Sequence, residues 1–300
     1  MPSVIDQYLD PGMMSALGRL RLTSRRVVEG AMTGSHRSPL KGYSTEFADH
    51  REYVKGDDLR HLDWKVLSRT QRYYIKRYEE STTLRAHVIV DCSASMAYPR
   101  TPPRGAMTKY RYACQLAAGL GFVLIRQQDP VGLVLFNDEV VTQLPPMSSL
   151  SHLRRMLEAL DATEPSSRTE TGRALHTVVG LLKRRGLVVI ISDLMDDHEQ
   201  VARALAHLRQ RGHDAIVIQV LDEMELRFPF EKTVNLRDME TGLRLTVHGA
   251  EVAAEYARRL NEFLDQHKRS CFEHHFDYVL ASTATPCETL LTALLSRRQR

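Results

Sequence analysis

The sequence predicts an α/β protein: a doubly wound, mostly parallel sheet preceded by an N-terminal accessory segment. Two observations carry this. From residue 84 onward, short apolar runs rich in β-branched residues alternate with longer helical stretches, the pattern of strands covered by helices on both faces. Two of those runs end in clustered hydroxyl and carboxyl residues, Asp91-Cys92-Ser93-Ala94-Ser95 and Ser192-Asp193, and the carboxyl edge is where an open parallel sheet collects its functional groups.

In chain order, residues 13–33 read as a helical stretch with Leu17, Leu20 and Val27 among its apolar positions, followed by a Gly/Ser/His/Pro loop at 34–44. Residues 45–86 are dense in charge and aromatics without a sustained helix period, and 72–78 alternate weakly as a strand does. Strands are then expected at 84–91 and 130–137, around a helix at 107–128. Further strands at 186–193, 213–220 and 276–283 follow helices at 171–185, 198–211 and 249–270, and a last helix spans 286–298. Residues 224–247 break the rhythm as a β-hairpin excursion with Glu240-Thr241-Gly242 at its turn. The resulting division is an accessory segment over 1–83 and an α/β domain over 84–300.

Composition excludes several classes. A chain of 300 residues with 43% hydrophobic and 26% charged content is that of an ordinary globular protein. It has no run of the roughly 18–20 apolar residues that a membrane helix needs. Asp6 and Asp10 interrupt the N-terminal stretch, and no basic start leads into an apolar run, so it does not read as a signal peptide. The expectation is cytoplasmic residence without membrane insertion. Cys92, Cys114, Cys271 and Cys287 stand at no redox or zinc spacing and read as reduced structural residues. Residues 1–86 hold 15 Lys/Arg against 11 Asp/Glu, and the remainder holds 26 of each. That surplus is interspersed with acids and gives only a faint nucleic-acid footprint.

The chemistry lies in the polar strand ends. In Asp91-x-Ser93-x-Ser95, alternate side chains on a tight loop can converge on one point, and Cys92 and Ala94 are small enough to let the loop fold back. Hydroxyls and carboxylates without imidazole or thiolate suit Mg²⁺, Mn²⁺ or Ca²⁺ rather than zinc or copper. Two hydroxyls with one carboxylate leave a cation under-neutralised, open to an acidic group from outside.

The D-x-S-x-S-M pattern at 91–96 resembles the metal-ion-dependent adhesion site of von Willebrand factor A domains, Rossmann-type α/β folds that bind partners through Mg²⁺. The resemblance implies that Asp91, Ser93 and Ser95 form the first metal loop, that Thr169 supplies the second, and that Asp193 supplies the third. Ser166-Ser167-Arg168 stands where glycines are common, which keeps Thr171 as an alternative to Thr169. Glu46-Phe47, Arg51-Glu52-Tyr53, Gly56-Asp57-Asp58, Arg60, Asp63-Trp64, Arg69 and Lys76 are similar to the signature of a bacterial family catalogued as domain of unknown function fifty-eight. Membership implies work beside a MoxR-type AAA+ ATPase, in chaperone-like handling of client proteins.

Simpler readings stand beside these. A polar strand end can merely cap the next turn, and Asp196 and Asp197 read as helix caps. The cluster from Arg51 to Trp64 reads as a structural ion-pair network with Trp64 in the core. His274-His275 reads as a pair of ordinary surface or core histidines. No G-x-S-x-G elbow, P-loop or G-x-G-x-x-G is present. Ser93 stands where a phosphoaspartyl hydrolase would need its second acid. The expected function is therefore metal-dependent, non-enzymatic protein binding through a partner's acidic side chain. The loops 97–106 and 138–149 would supply specificity. Metal-dependent hydrolysis and nucleic-acid binding are the alternatives.

Overall fold

The computed structural model describes residues 4–24, 44–54, 62–81, 84–99, 102, 106–166 and 171–298. The chain divides into two units, Met1–Val28 with Leu84–Arg300, and Glu29–Thr83 between them in sequence.

The larger unit opens with helices α1 (Val4–Tyr8) and α2 (Pro11–Leu17). Asp10 caps α2 by accepting a hydrogen bond from the Met13 N–H at 2.8 Å, and Pro11 supplies the preset first turn. Tyr8, Leu9, Met13, Leu17 and Leu22 are buried in the core of this unit, so the N-terminal residues belong with the sheet rather than with the segment up to residue 83. The helix expected over 13–33 ends at Leu17. Beyond Gly18 the chain is non-helical to residue 24, and residues 25–33 lie outside the described residues. The reason is tertiary: Leu22 exchanges both backbone hydrogen bonds with the Gln127 side chain, 105 residues away, a pairing an α-helix would forbid.

The smaller unit contains an antiparallel pair, β1 (Ser44–Glu52) with β2 (Tyr74–Ser81), bulged between Phe47 and Asp49. The strand expected at 72–78 is thus present as β2. Helix α3 (Trp64–Thr70) is capped by Asp63, whose carboxylate accepts from the Lys65 and Val66 N–H groups. Trp64 opens α3 and is 64% exposed, so it is not a core residue. Gly56, Asp57, Asp58 and Arg60 lie outside the described residues, so the expected ion-pair network around them does too.

Among the described residues of the larger unit, six strands form one sheet in the order β10-β7-β6-β3-β4-β5. They are β3 (Ala86–Asp91), β4 (Val131–Phe136), β5 (Val140–Met147), β6 (Leu187–Ser192), β7 (Asp214–Leu221) and β10 (Asp277–Ser282). All neighbours run parallel except β5, which pairs antiparallel with β4 at one edge. The doubly wound, mostly parallel α/β fold is therefore present. Alternate residues of β3 serve opposite faces. Val88 and Val90 join a core built with α1, α2, α4 (Lys109–Arg126), α5 (Leu150–Ala162) and α10 (Cys287–Arg298). Ile89 joins the other, built with α6 (Thr171–Leu181), α7 (His198–Gln210) and α9 (Gly249–Glu273). Burial on both faces is what makes these strands continuous apolar runs.

Three further elements, β5, α5 and a short helix after β7, were not expected from the sequence. Residues 138–149 contain strand β5, and α5 follows, capped by the Ser149 hydroxyl, which accepts from the His152 N–H. The excursion near 224–247 is present as a one-turn-and-a-half helix α8 (Glu223–Arg227) and the hairpin β8 (Thr233–Arg237) with β9 (Arg244–His248). Its turn contains Glu240-Thr241-Gly242 as expected. Asp238 accepts from the N–H groups of Glu240 and Thr241, and Gly242 takes the left-handed conformation (φ +71°) that suits a residue without Cβ. No helix among the described residues is long and apolar enough to cross a membrane. All four cysteines are free and buried.

Candidate functional site

The winding of the sheet reverses between β3 and β6. From β3 the chain moves to β4 and β5 on one side, whereas β6 leads to β7 and β10 on the other. Strand ends on either side of such a reversal face a crevice at the carboxyl edge. Asp91 ends β3 there, and Ser192 ends β6 with Asp193 directly after it.

Asp91 is completely buried, and both of its oxygens are engaged. Oδ1 accepts from the Ser93 N–H at 2.8 Å, closing the turn that reverses the chain after β3. Oδ2 accepts from the Ser192 hydroxyl at 2.6 Å, which ties the first loop to the third. Burial pushes the Asp91 pKa up to about 7, the nearby Asp193 carboxylate adds to the rise, and the hydrogen bonds from Ser192 and Ser93 only partly offset it. A short 3-10 turn over Ala94–Ala97 then carries Ser95 back beside Ser93, so that their hydroxyl oxygens lie 3.0 Å apart. Of the three side chains of D-x-S-x-S, the two serine hydroxyls meet, while the Asp91 carboxylate is engaged by the Ser93 N–H and the Ser192 hydroxyl. Met96, fully buried under the turn, anchors it from below.

The third loop is held just as firmly. Leu194 adopts a left-handed conformation (φ +55°), uncommon for a branched residue, while its side chain is buried and its N–H donates to the Ser192 hydroxyl. This sharp turn leaves Asp193 with its Oδ1 accepting from the Met195 N–H at 3.1 Å. Its Oδ2 lies 2.8 Å from the Lys109 ammonium, which also reaches Glu225 Oε1 at 2.8 Å. Burial would lower the Lys109 pKa, but the Asp193 and Glu225 carboxylates outweigh it and hold it above the ordinary lysine range. Glu225 is raised by burial against the pull of Lys109. Its second oxygen accepts from the Asp222 N–H, as half of the capping box that starts α8. Gln219 donates to the Asp193 carbonyl at 2.8 Å and accepts from the Tyr278 hydroxyl at 2.7 Å, fixing the same loop from β7 and β10.

Of the residues expected to bind metal, Ser93 and Ser95 are brought together beside Asp91, and Asp193 directly follows the adjacent strand. Thr169 lies outside the described residues, as does Glu170. The loop that carries them starts against the first: the Ser166 N–H donates to the Cys92 carbonyl at 3.0 Å. At its far end Gly172 N–H donates to Asp196 Oδ2, so Asp196 ties α6 to the third loop while Asp197 caps α7. Both act as caps, though for different helices. Among the described residues no three His, Cys, Asp or Glu side chains converge as a metal cluster. The donors that do converge are hydroxyls.

Sequence reasoning placed Ser192 at a polar strand end without assigning its bond to Asp91, and missed Lys109 and Glu225. Lys109 did carry a local signal: a lysine in the first turn of a helix opposes the helix dipole, which favours anions there, so it needs a carboxylate partner elsewhere.

A family profile described as protein of unknown function DUF58 matches residues 49–265, and the chain belongs to that family. An uncharacterized protein of Mycobacterium tuberculosis is 29% identical over 238 residues, covering 78% of this chain and 73% of that protein. BatB from Bacteroides thetaiotaomicron is 15% identical, with a TM-score of 0.44 over 72% of this chain and 98% of that chain. The VWA domain of SpRpn10 is 13% identical, with a TM-score of 0.40 over 71% and 95% respectively.

Proposed function

We propose that this DUF58-family chain is a non-enzymatic, metal-dependent protein-binding module of the von Willebrand factor A type. Mg²⁺, with Mn²⁺ or Ca²⁺ as substitutes, is held by Ser93, Ser95 and a threonine of the second loop, Thr169 or Thr171. Asp91 and Asp193 act in support. A carboxylate from a partner completes the coordination. The partner is a MoxR-type AAA+ ATPase, a client protein handled with it, or both.

The observation that carries this reading is the 3.0 Å approach of the Ser93 and Ser95 hydroxyls beside Asp91, at the point where the sheet reverses its winding. These hard oxygen donors fit a small divalent ion. Asp91 is oriented by Ser192 and the Ser93 N–H, so the first loop is shaped before any ion arrives. What the chain supplies is position: two hydroxyls in register, a carboxylate behind them, and a third-loop carboxylate shared with Lys109. When bound, the metal supplies affinity for an outside acid. Catalysis is not part of the proposal, because Ser93 replaces the second acid that phosphoaspartyl chemistry needs.

Calorimetric titration of MgCl₂ into the protein tests the metal. One site of about unit stoichiometry is expected, lost in a Ser93→Ala/Ser95→Ala variant that keeps its thermal stability. Unchanged binding in that variant would place the metal elsewhere. Capture of the co-expressed AAA+ ATPase in Mg²⁺ but not in EDTA tests the partner. Equal capture in both would refute a metal-mediated contact.

A further inference from the structure

We infer that the site reads two adjacent partner side chains, an acid at the metal and a large apolar residue in a cavity that begins at Ser95. This rests on the metal-dependent reading and deepens it by naming the class of segment the site selects.

A cavity of about 340 Å³ lies between the first and third loops on one side and α8 with the β8–β9 hairpin on the other. Ser95 and Lys109 belong to its wall, so the cavity is continuous with the candidate metal site. Met195, Met224, Phe228, Phe230, Leu236 and Met239 give it an apolar lining. Its volume suits one aromatic or branched aliphatic side chain. Part of the lining is rigid: Phe228 stacks on Tyr256 with ring centroids 4.5 Å apart and meets Phe230 edge-on at 5.1 Å. Part of it adapts, because unbranched methionines re-form around different guests. Met195 and Met224 are 37% and 39% exposed, so apolar surface is left in contact with water at the mouth.

Charge decides the order of the two side chains. The Lys109 ammonium is already committed to Asp193 and Glu225, and the other Glu225 oxygen to the Asp222 N–H. At the hairpin turn, Asp238 is committed to the Glu240 and Thr241 N–H groups. The wall carries Glu225, Asp238 and Glu240 against Lys109 and Arg237, so an acid inserted into the cavity would meet a net negative lining and apolar walls. An acid at the Ser93–Ser95 end would meet the cation. The partner's carboxylate therefore belongs at the metal and its apolar neighbour in the cavity.

Methyl NMR of the full chain, labelled at methionine, tests this with three capped dipeptides: acetyl-Asp-Leu-amide, acetyl-Asp-Gly-amide and acetyl-Asn-Leu-amide. In Mg²⁺, acetyl-Asp-Leu-amide should shift the Met195, Met224 and Met239 methyls and bind about tenfold tighter than acetyl-Asp-Gly-amide, the worth of burying one leucine side chain. Leu236→Glu, or Met239→Ala should the first variant misfold, should remove that preference while leaving acetyl-Asp-Gly-amide binding intact. Equal binding of the leucine and glycine peptides in Mg²⁺ would overturn the cavity assignment and leave the metal reading standing. Equal binding of acetyl-Asp-Leu-amide in Mg²⁺ and EDTA, matched by acetyl-Asn-Leu-amide, would overturn the metal reading and the two-residue rule with it. No shift with any of the three peptides would overturn both.

Discussion

The ammonium of Lys109 lies 2.8 Å from Asp193 Oδ2, and the two side chains keep only 1% and 2% of their surface in contact with solvent. A buried pair of this kind is worth little against an apolar substitute for both partners, but losing one partner strands the other. Lys109→Met should therefore destabilise the fold by about 3–5 kcal/mol, since it leaves both Asp193 and Glu225 without their cation. Urea unfolding followed by circular dichroism would measure it. A loss below about 1 kcal/mol would show that these carboxylates find other partners or protons.

Ser192 joins two loops that sequence separates by 101 residues. Ser192→Ala removes the donor to a fully buried Asp91 oxygen and the acceptor for the Leu194 N–H. The expected cost is about 1–3 kcal/mol of stability. Mg²⁺ affinity should fall as well, because Asp91 loses its fixed orientation. Thermal melts with and without MgCl₂ would separate the two effects. A variant as stable as the parent would mean that Asp91 is not held through Ser192.

Gly172 is a glycine for steric reasons. A Cβ there would come within 2.4 Å of Gln200 Cβ and 2.5 Å of the Gln200 backbone, where α6 meets α7. Gly172→Ala should push the helices apart at the end of the second loop and cost about 1–3 kcal/mol. Its melting temperature should fall, and any metal binding that depends on Thr169 or Thr171 should weaken with it. An unchanged melting temperature would show that α6 can slide freely over α7.

Acid should weaken the fold through His267. Burial, helped by the neighbouring His198, lowers its pKa from 6.5 to about 4. Between those values the unfolded chain binds the proton and the folded one does not, so stability falls as pH drops from about 6.5 toward 4. His87 acts in the same direction, lowered to about 4 by burial, His213 and Arg85. Neither ring nitrogen of His267 has a hydrogen-bond partner among the described residues, and Phe263 meets the ring edge-on at 4.5 Å. His267→Leu should leave stability at pH 7 unchanged or higher and flatten the decline toward pH 4. Equal slopes of urea midpoint against pH in the two proteins would remove His267 from the acid response.

The larger elements were legible because their signals are local. Strands buried on both faces read as apolar runs, and the hairpin turn showed itself in Glu240-Thr241-Gly242. Strand β5 was hidden because it is an edge strand, alternating in burial and carrying Pro145 and Pro146, which an edge tolerates and a central strand would not. Helix α5 was passed over with it, although Leu153, Met156, Leu157 and Leu160 share one buried face. At the site, Asp91, Ser93 and Ser95 could be read because five consecutive residues hold them. The contacts of Lys109 with Asp193 and Glu225 span 84 and 116 residues, and no window of sequence contains them.

The described residues that flank the segment Glu29–Thr83 in sequence are anchored on the larger unit. Leu22 is bound to the Gln127 side chain, Leu84 N–H to Asp129 Oδ1, and Gln127 to Asp129 Oδ2, all in the turn that precedes β4. Ser24 is fastened to Asp214 at the start of β7, where Arg298 also ends. In sequence the segment is inserted between two stems anchored on the larger unit, and among the described residues the two cores of that unit contain none of its side chains. Replacing residues 29–83 with a flexible tether should yield a domain that still unfolds cooperatively in a thermal melt and retains Asp91, Ser93, Ser95 and Asp193.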